Sequence, residues 1–301
     1  MSDILFEIEK VNCSYTTSKR AVLEIEELII NKNEVVFIIG PSGVGKSTIL
    51  ETLGLMNNTI NSTPKKFNFY PKKLSIDMSK IWEKKERELS EMRRFYFSFI
   101  FQHDNLFSSL TGYQNIIASS LIEGKESNSA KQEAYIVLND ILEDLNSKDQ
   151  EDFNITEMSG GQKQRVSFAR AIISNYQVLF ADEPTGNLDW YNAELLMDYL
   201  IKSLAKSSDS SAIIVSHDIK LALDFADKII YIDKYSEGEK KEKVYYGKIS
   251  KDSVYIKTKE NGEWNSSKQS YTREKLEKEI KMKFKGHSEK EKIKEALYEA
   301  N

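Results

Sequence analysis

An α/β fold is predicted for this chain of 301 residues from three observations: short apolar runs that stop at polar residues, a glycine-rich stretch wedged between one run and a helix, and helical periodicity over the long interval between runs. Four runs read as buried strands of a mixed core sheet: EVVFIIG (34–40), QVLFADE (177–183), SAIIVSHD (211–218) and KIIYID (228–233). Each is rich in Val, Ile or Phe and ends in polar residues, as parallel strands do when a site lies at their carboxyl ends. Chemistry is therefore expected at residues 40–47, at Asp182 and Glu183, and at His217.

The remaining elements follow from pattern. ILFEIEKVNCSY and VLEIEELIIN, ahead of the first run, alternate more and suit a small antiparallel β subdomain. Between the first and second core strands, KIWEKKERELSEMRRF and KQEAYIVLNDILEDL repeat apolar residues every three or four positions, which predicts a long helical region across the interval, with an inserted helical subdomain at about 103–172. NNTINSTPKKFNFYPKK holds two of the four prolines and reads as loop or irregular strand. After residue 234 the balance of charge changes: 235–301 carries 17 Lys+Arg against 13 Asp+Glu, +4, whereas 1–234 carries −8. That stretch is expected to form a small C-terminal α+β extension to a main domain at 1–234. Its first half predicts strands with a turn at Asn261 and Gly262. Its second half predicts two short helices, the second opening at Ser288-Glu289-Lys290-Glu291 with the spacing of a capping box. The charge run is read as a solvated helical face.

Composition narrows the functional classes. With 40% hydrophobic and 30% charged residues the chain can bury a substantial core. A net charge of −4 and a pI near 5.7 provide no global basic field, so no nucleic-acid partner is expected. No run approaches the ~20 apolar residues of a membrane span, and MSDILFEIEK lacks a basic stretch followed by an apolar one, which predicts a cytoplasmic location. The single cysteine, Cys13, excludes an internal disulfide framework and is read as a small buried hydrophobe. His103, His217 and His287 are too scattered to suggest a metal cluster.

GPSGVGKS, at 40–47, fits G-x-x-x-x-G-K-[ST] between a strand and a helix. Its glycines let backbone N–H groups wrap a polyphosphate, Lys46 reaches the outer phosphates, and the Ser47 hydroxyl can ligate Mg²⁺. QVLFADE supplies Asp182 for the metal side and Glu183 to take a proton from an attacking water. These residues alone leave kinases, GTPases, helicases and transporters open. MSGGQKQRVSFARA (158–171) raises a further question, because two adjacent glycines are a poor way to start a helix unless something must approach the backbone closely.

With MSGGQKQRVSFARA after GPSGVGKST, and VLFADEPTGNLD close behind, residues 4–233 resemble the ATP-binding cassette (ABC) ATPases. The resemblance implies a P-loop NTPase fold that binds ATP and Mg²⁺. It assigns Tyr15 to stacking on adenine and Gly40, Pro41, Ser42, Gly43, Val44, Gly45, Lys46, Ser47 and Thr48 to the phosphate loop. Gln102 becomes the glutamine that senses metal and water, Asp182 the metal-side aspartate, Glu183 the catalytic base and His217 the contact to the γ-phosphate. Ser47, Gln102 and Asp182 would face the metal. Ser159, Gly160, Gly161 and Gln162 match the signature sequence and Asn187, Leu188 and Asp189 the D-loop; in that family the signature of one subunit closes on ATP held by another, so a homodimer is implied. Departures are few: Met158 replaces a usual leucine, and Val44 stands where serine is frequent.

ADEPTGNLD together with KKERELSEMRRFYFSFIFQHDNLFSSLTGYQNI looks most like the branch of lipoprotein-release, macrolide-export and cell-division ATPases. That implies a separately encoded membrane permease, with this chain peripheral on the inner face of the cell membrane. Phe107 and Leu110 would meet the permease's coupling helix or pack the helical subdomain. A soluble ABC protein of DNA or ribosomes would carry a long coiled-coil insertion or two cassettes, and neither is in the sequence. A cassette that regulates an extracytoplasmic enzyme through its membrane partner, without transport, stays open beside the transporter reading.

Overall fold

The computed structural model describes residues 3–15, 21–60, 62–141, 154–206, 209–237 and 244–299. It separates into one unit formed by 1–83 and 215–301 and a second formed by 84–214.

The first unit opens with β1 (Ile4–Cys13) and β2 (Leu23–Asn31), antiparallel from Ile4↔Asn31 to Cys13↔Leu23. β3 (Val35–Ile39) follows, with all five side chains buried, and leads through the phosphate-loop sequence into α1 (Lys46–Leu53). β4 (Lys66–Phe69) and β5 (Ile76–Asp77) then extend the antiparallel sheet from β1. Phe6 of β1 stacks on Phe69 at 4.7 Å, so the inward face of this small sheet is aromatic.

In the second unit α2 (Glu86–Tyr96) runs into β6 (Phe97–Ile100), and α3 (Gly112–Ile122), α4 (Ser127–Ile141) and α5 (Gly160–Ile172) follow. β7 (Val178–Asp182), α6 (Trp190–Lys206) and β8 (Ser211–Val215) complete it, the last residue of β8 marking the return to the first unit. β6 was not anticipated: FSFI lies inside the interval read as helical, yet it pairs in parallel with β7 from Phe97↔Val178 to Ile100↔Ala181. The cause is side-chain packing. Phe97 and Phe99 set their rings 5.3 and 5.4 Å from Phe180, and an aromatic run is better accommodated on a pleated surface than on a helix.

Back in the first unit come α7 (Ile219–Phe225) and β9 (Lys228–Tyr231), the latter parallel to β3 from Val36↔Lys228 to Ile39↔Tyr231. All four core runs expected from the sequence are therefore strands: β3, β7, β8 and β9. β10 (Asp233–Glu237) and β11 (Val244–Ile249) form an antiparallel pair, and β11 runs parallel to β2. β12 (Val254–Lys257) pairs with β9, then β13 (Trp264–Asn265) and β14 (Ser270–Tyr271) continue outward. Thus 235–301 supplies β11 to β2 and β12 to β9. The Asn261-Gly262 turn is present: Gly262 has φ 69°, and the Thr258 N–H donates to Glu263 O at 2.7 Å.

One expectation for this stretch is corrected. Instead of two short helices the chain forms one, α8 (Arg273–Glu299), which runs without a break through Ser288. A capping box acts where an extended chain enters a helix; here the preceding turn already accepts the backbone N–H groups, and Glu and Lys favour continuation. Leu276 and Ile280 of the helix, Tyr255 of β12 and Trp264 of β13 are fully buried and give the extension its own apolar core. Among the described residues no helix is long and apolar enough to cross a membrane. Cys13 is buried and free, and burial pushes its thiol upward, as its reading as a small hydrophobe requires.

Candidate nucleotide site

The residues expected to act fall into two sets. Tyr15, 40–48 and His217 belong to the first unit; Gln102, 159–162, Asp182, Glu183 and Asp189 belong to the second.

In the first unit the loop leaves β3 and turns into α1 through two left-handed residues, Gly43 at φ 73° and Gly45 at φ 91°. A side chain at either would be strained, and Gly45 has no other means of capping α1, since it is the N-cap and no side chain does so. The Lys46 ammonium folds back and donates to the carbonyls of Gly40 (2.9 Å) and Pro41 (2.8 Å), closing the loop on itself. A Cβ on Gly40 would meet Ile232 O at 2.8 Å, so glycine is also required where the loop starts. Val44 is wholly buried, which explains an apolar residue at a position where serine is frequent. Tyr15 hydrogen-bonds Thr48 Oγ1 at 3.2 Å and donates to Glu51 at 2.8 Å, which fastens the end of β1's following turn to α1. His217 is exposed one residue past Ser216, whose N–H donates to Ile38 O at 3.2 Å, so it follows directly on the strand end beside β3.

In the second unit α5 begins with a full capping box. Ser159 Oγ accepts from Gln162 N–H at 3.3 Å, and Gln162 accepts from Ser159 N–H at 2.9 Å. Gly160 and Gly161 follow with ordinary negative φ. A Cβ on Gly160 would meet nothing within 4 Å, and one on Gly161 would touch Leu188 Cδ2 at 3.2 Å. Met158, just before the cap, is buried against Gly112 at the start of α3, where a Cβ would strike its methyl at 2.7 Å. The exchange of leucine for methionine thus conserves a packing contact.

Glu183 follows β7 with φ 50°, a left-handed non-glycine residue held by its surroundings. Its carbonyl accepts from Gln164 Nε2 at 2.9 Å, and Gln164 Oε1 accepts from Asn187 N–H at 2.9 Å. Gln164 therefore ties the signature helix to both Glu183 and the D-loop. Sequence reading missed it, although a signal existed: it is the polar member of the buried stripe Gln164, Phe168, Ile172 on α5. Asp189 accepts from Asn192 N–H (3.0 Å) and Asn192 Nδ2 (2.7 Å) and starts α6; these hydrogen bonds hold its carboxyl below the usual range. Gln102 is exposed just beyond β6. Phe107 is 55% exposed, on a loop pinned by the fully buried Asn115, which accepts from Phe107 N–H at 2.8 Å and donates back to its carbonyl at 3.1 Å.

A glycine loop closing a parallel strand onto a helix, with a lysine at its mouth, defines a phosphate-loop nucleotide-binding protein. The family model described as ABC transporter matches residues 23–186. The chain is 33% identical over 235 residues to the lipoprotein-releasing system ATP-binding protein LolD of Pseudoalteromonas translucida, covering 77% of this chain and 94% of that protein. It is 36% identical over 201 residues to LolD of Bacteroides thetaiotaomicron, covering 67% of this chain and 85% of that protein. Against the macrolide export ATP-binding/permease protein MacB of a Shewanella species it is 36% identical, but spans only 34% of that longer protein. A solved structure, the dimeric ATP-binding cassette MJ0796 in a post-hydrolysis state with ADP and Pi, superposes with a TM-score of 0.61 at 27% identity, over 75% of this chain and 94% of that one. The chain belongs to the ABC transporter family, and with that membership it is an ATP-binding, ATP-hydrolysing cassette subunit.

Proposed function

We propose that two copies of this chain bind ATP with Mg²⁺, close head to tail, and by closing drive a separate membrane permease, with the cassette peripheral on the cytoplasmic face. The observation that carries the dimer is Gly160. It opens a well-capped helix at an exposed position where a side chain would meet nothing within 4 Å, so the chain's own packing does not call for glycine. A ligand approaching the helix start from outside does. The permease partner is supported by the relatives' names, one an ATP-binding protein of a lipoprotein-releasing system and the other an ATP-binding/permease protein.

The residues present fit both groups. Lys46 already holds two oxygen acceptors at the loop's mouth, and a phosphate would offer it others. Ser47, Gln102 and Asp182 offer hard oxygen donors of the kind Mg²⁺ takes, and bound Mg²⁺ would neutralise charge building on the phosphates. In this reading the N–H groups of 43–48 and the start of α1 receive the phosphates, and Tyr15 packs on the adenine. Glu183 takes a proton from the attacking water, its direction fixed by the left-handed backbone and by Gln164 on its carbonyl. His217 donates to a γ-phosphate oxygen. Ser159, Gly160, Gly161 and Gln162 present the start of α5 to the other copy's nucleotide, and Asp189 holds the D-loop end that follows. ATP drives closure only through higher affinity for the closed pair, which the α5 contacts to the γ-phosphate supply.

Replacing Glu183 with Gln should lower kcat by about 10²–10⁴-fold while leaving ATP binding intact and trapping a dimer. Size-exclusion chromatography with saturating Mg·ATP is the check. Monomeric elution of that variant contradicts the two-copy mechanism.

A further inference from the structure

β11 approaches the phosphate loop so closely that only glycine can stand at the point of contact. A Cβ on Gly247 would fall far inside contact with the Val44 carbonyl oxygen, 2.9 Å from the Val44 carbonyl carbon and 2.6 Å from Ile232 Cγ2. These are backbone atoms and a fully buried branched side chain, none of which can step aside as a flexible chain end would. Gly247 has no positive φ, so its need for glycine is one of space and not of conformation.

The contact is one half of a seat under the loop. The Gly247 N–H donates to Val22 O at 2.8 Å, and β11 continues in register with β2 through Gly247↔Leu23 and Ile249↔Ile25. From the other side, a Cβ on Gly45 would lie 3.0 Å from Leu23 Cβ and 3.4 Å from Val22 O. Val22, Leu23 and Gly247 thus form a floor on which Val44 and Gly45 rest. Lys248 fastens the floor from outside, its ammonium 2.6 Å from Glu26 and 3.3 Å from Glu24 of β2.

We propose that Gly247 is a positioning residue for the phosphate loop. A trans peptide is planar, so the Val44 carbonyl and the Gly45 N–H point in opposite directions. Bounding the carbonyl with β11 fixes the direction of that N–H, one of the donors at the start of α1. The inference deepens the nucleotide-site reading above and rests on it. It also gives β11, which lies in the stretch that reads from the sequence as an appendage, a part in binding the polyphosphate.

The test is a pair of titrations on the full chain, with Mg·ATP and with AMP, because a seat for the outer phosphates matters to the first and little to the second. Gly247→Ala forces β11 or the loop to withdraw by about 1 Å, and should weaken Mg·ATP by tenfold or more, since ~1 Å misplacements of binding groups have effects of up to about 10²-fold. AMP affinity should change less than about twofold. Gly286→Ala, in α8 with nothing within 4 Å, is the control and should bind both as the parent does. A merely structural role would lower the melting temperature without moving the ratio of the two affinities, and an unchanged ratio in folded Gly247→Ala overturns the proposal. If that variant does not fold, Lys248→Ala decides: it loosens β11 from β2 without adding bulk, and should shift the ratio about two- to fivefold in the same direction, an unchanged ratio again refuting it. Lys46→Ala separates the two readings. If Lys46→Ala leaves Mg·ATP binding intact, the nucleotide-site reading fails; if it weakens binding and the β11 variants do not, only the role of Gly247 fails.

Discussion

The two glycine-bearing helix starts of this protein are built on opposite principles. At α1 the glycines are demanded from within: Gly45 is the N-cap, sits at φ 91° with no side chain capping the helix, and rests 3.0 Å from Leu23 if given a Cβ. At α5 the helix is already satisfied by a Ser159–Gln162 capping box, and Gly160 and Gly161 have ordinary helical backbone angles. The first is a loop shaped by its own chain, a shape that in the proposed function receives the polyphosphate. The second is a finished helix start at which Gly160 has open space around it, so the fold accounts for the glycines of α1 whereas Gly160 is accounted for by the proposed function.

Substitutions at the two sites should therefore separate binding from assembly. Gly45→Ala has the largest expected effect, because it combines a left-handed alanine, costing about 1–2 kcal/mol, with loss of the loop's shape. ATP binding by the isolated chain should fall at least about 100-fold, measured by titration, and near-parental affinity would break the contrast. Gly160→Ala should do the reverse. It should leave the melting temperature equal or slightly higher, since alanine is better than glycine in a helix by about 0.5–1 kcal/mol, and leave ATP binding intact. ATP turnover should nonetheless drop roughly tenfold or more, as one displaced donor to a developing charge costs about that much or more. Full turnover in that variant would remove the reason to invoke a second copy.

Ser159→Ala sharpens the comparison further, because it removes a cap that α1 never had. Thermal melts should report a loss of about 1 kcal/mol, and no destabilisation would mean the box contributes nothing in solution. The smallest effect concerns Cys13, buried beside α1, with a thiol pushed upward by burial and receiving the Thr52 hydroxyl at 3.7 Å. Raised above its ordinary value, it stays protonated at neutral pH, so a thiol reagent should label it only in denaturant. Rapid labelling of the native chain would show that the packing behind the phosphate loop opens readily.

Much of the local geometry of the candidate site was legible in the sequence because its demands are local. GPSGVGKS specifies left-handed turns that few residues adopt, so the positions of Gly43 and Gly45 could be read without knowing what surrounds them. The four core strands were legible because complete burial writes itself as unbroken apolar runs. FSFI failed that test. It is too short to distinguish from helix by period, and its strand state comes from Phe180, eighty residues away, offering a ring to pack on. The predicted helix start at Ser288 failed for a related reason, since a capping motif has meaning only if the chain before it is not already helical. Gln164 carries a pattern, a polar residue on a buried helical stripe, but its partners Glu183 and Asn187 became visible only in three dimensions.

By itself, then, the sequence determined the elements whose cause lies within a few residues: the turn of the phosphate loop, the carboxylates at the end of β7, the buried strands, and the Asn261-Gly262 turn. The tertiary structure alone decided what depends on chain segments far apart in number: that Val44 must be apolar because it is buried, that Glu183 is held in a left-handed conformation with Gln164 on its carbonyl, and that Gly247 lies against Val44. Backbone conformation is limited by neighbouring atoms along the chain, so it leaves a local signature in residue type. Exclusion of a side chain by a distant backbone leaves only a glycine, which looks the same in sequence as any other.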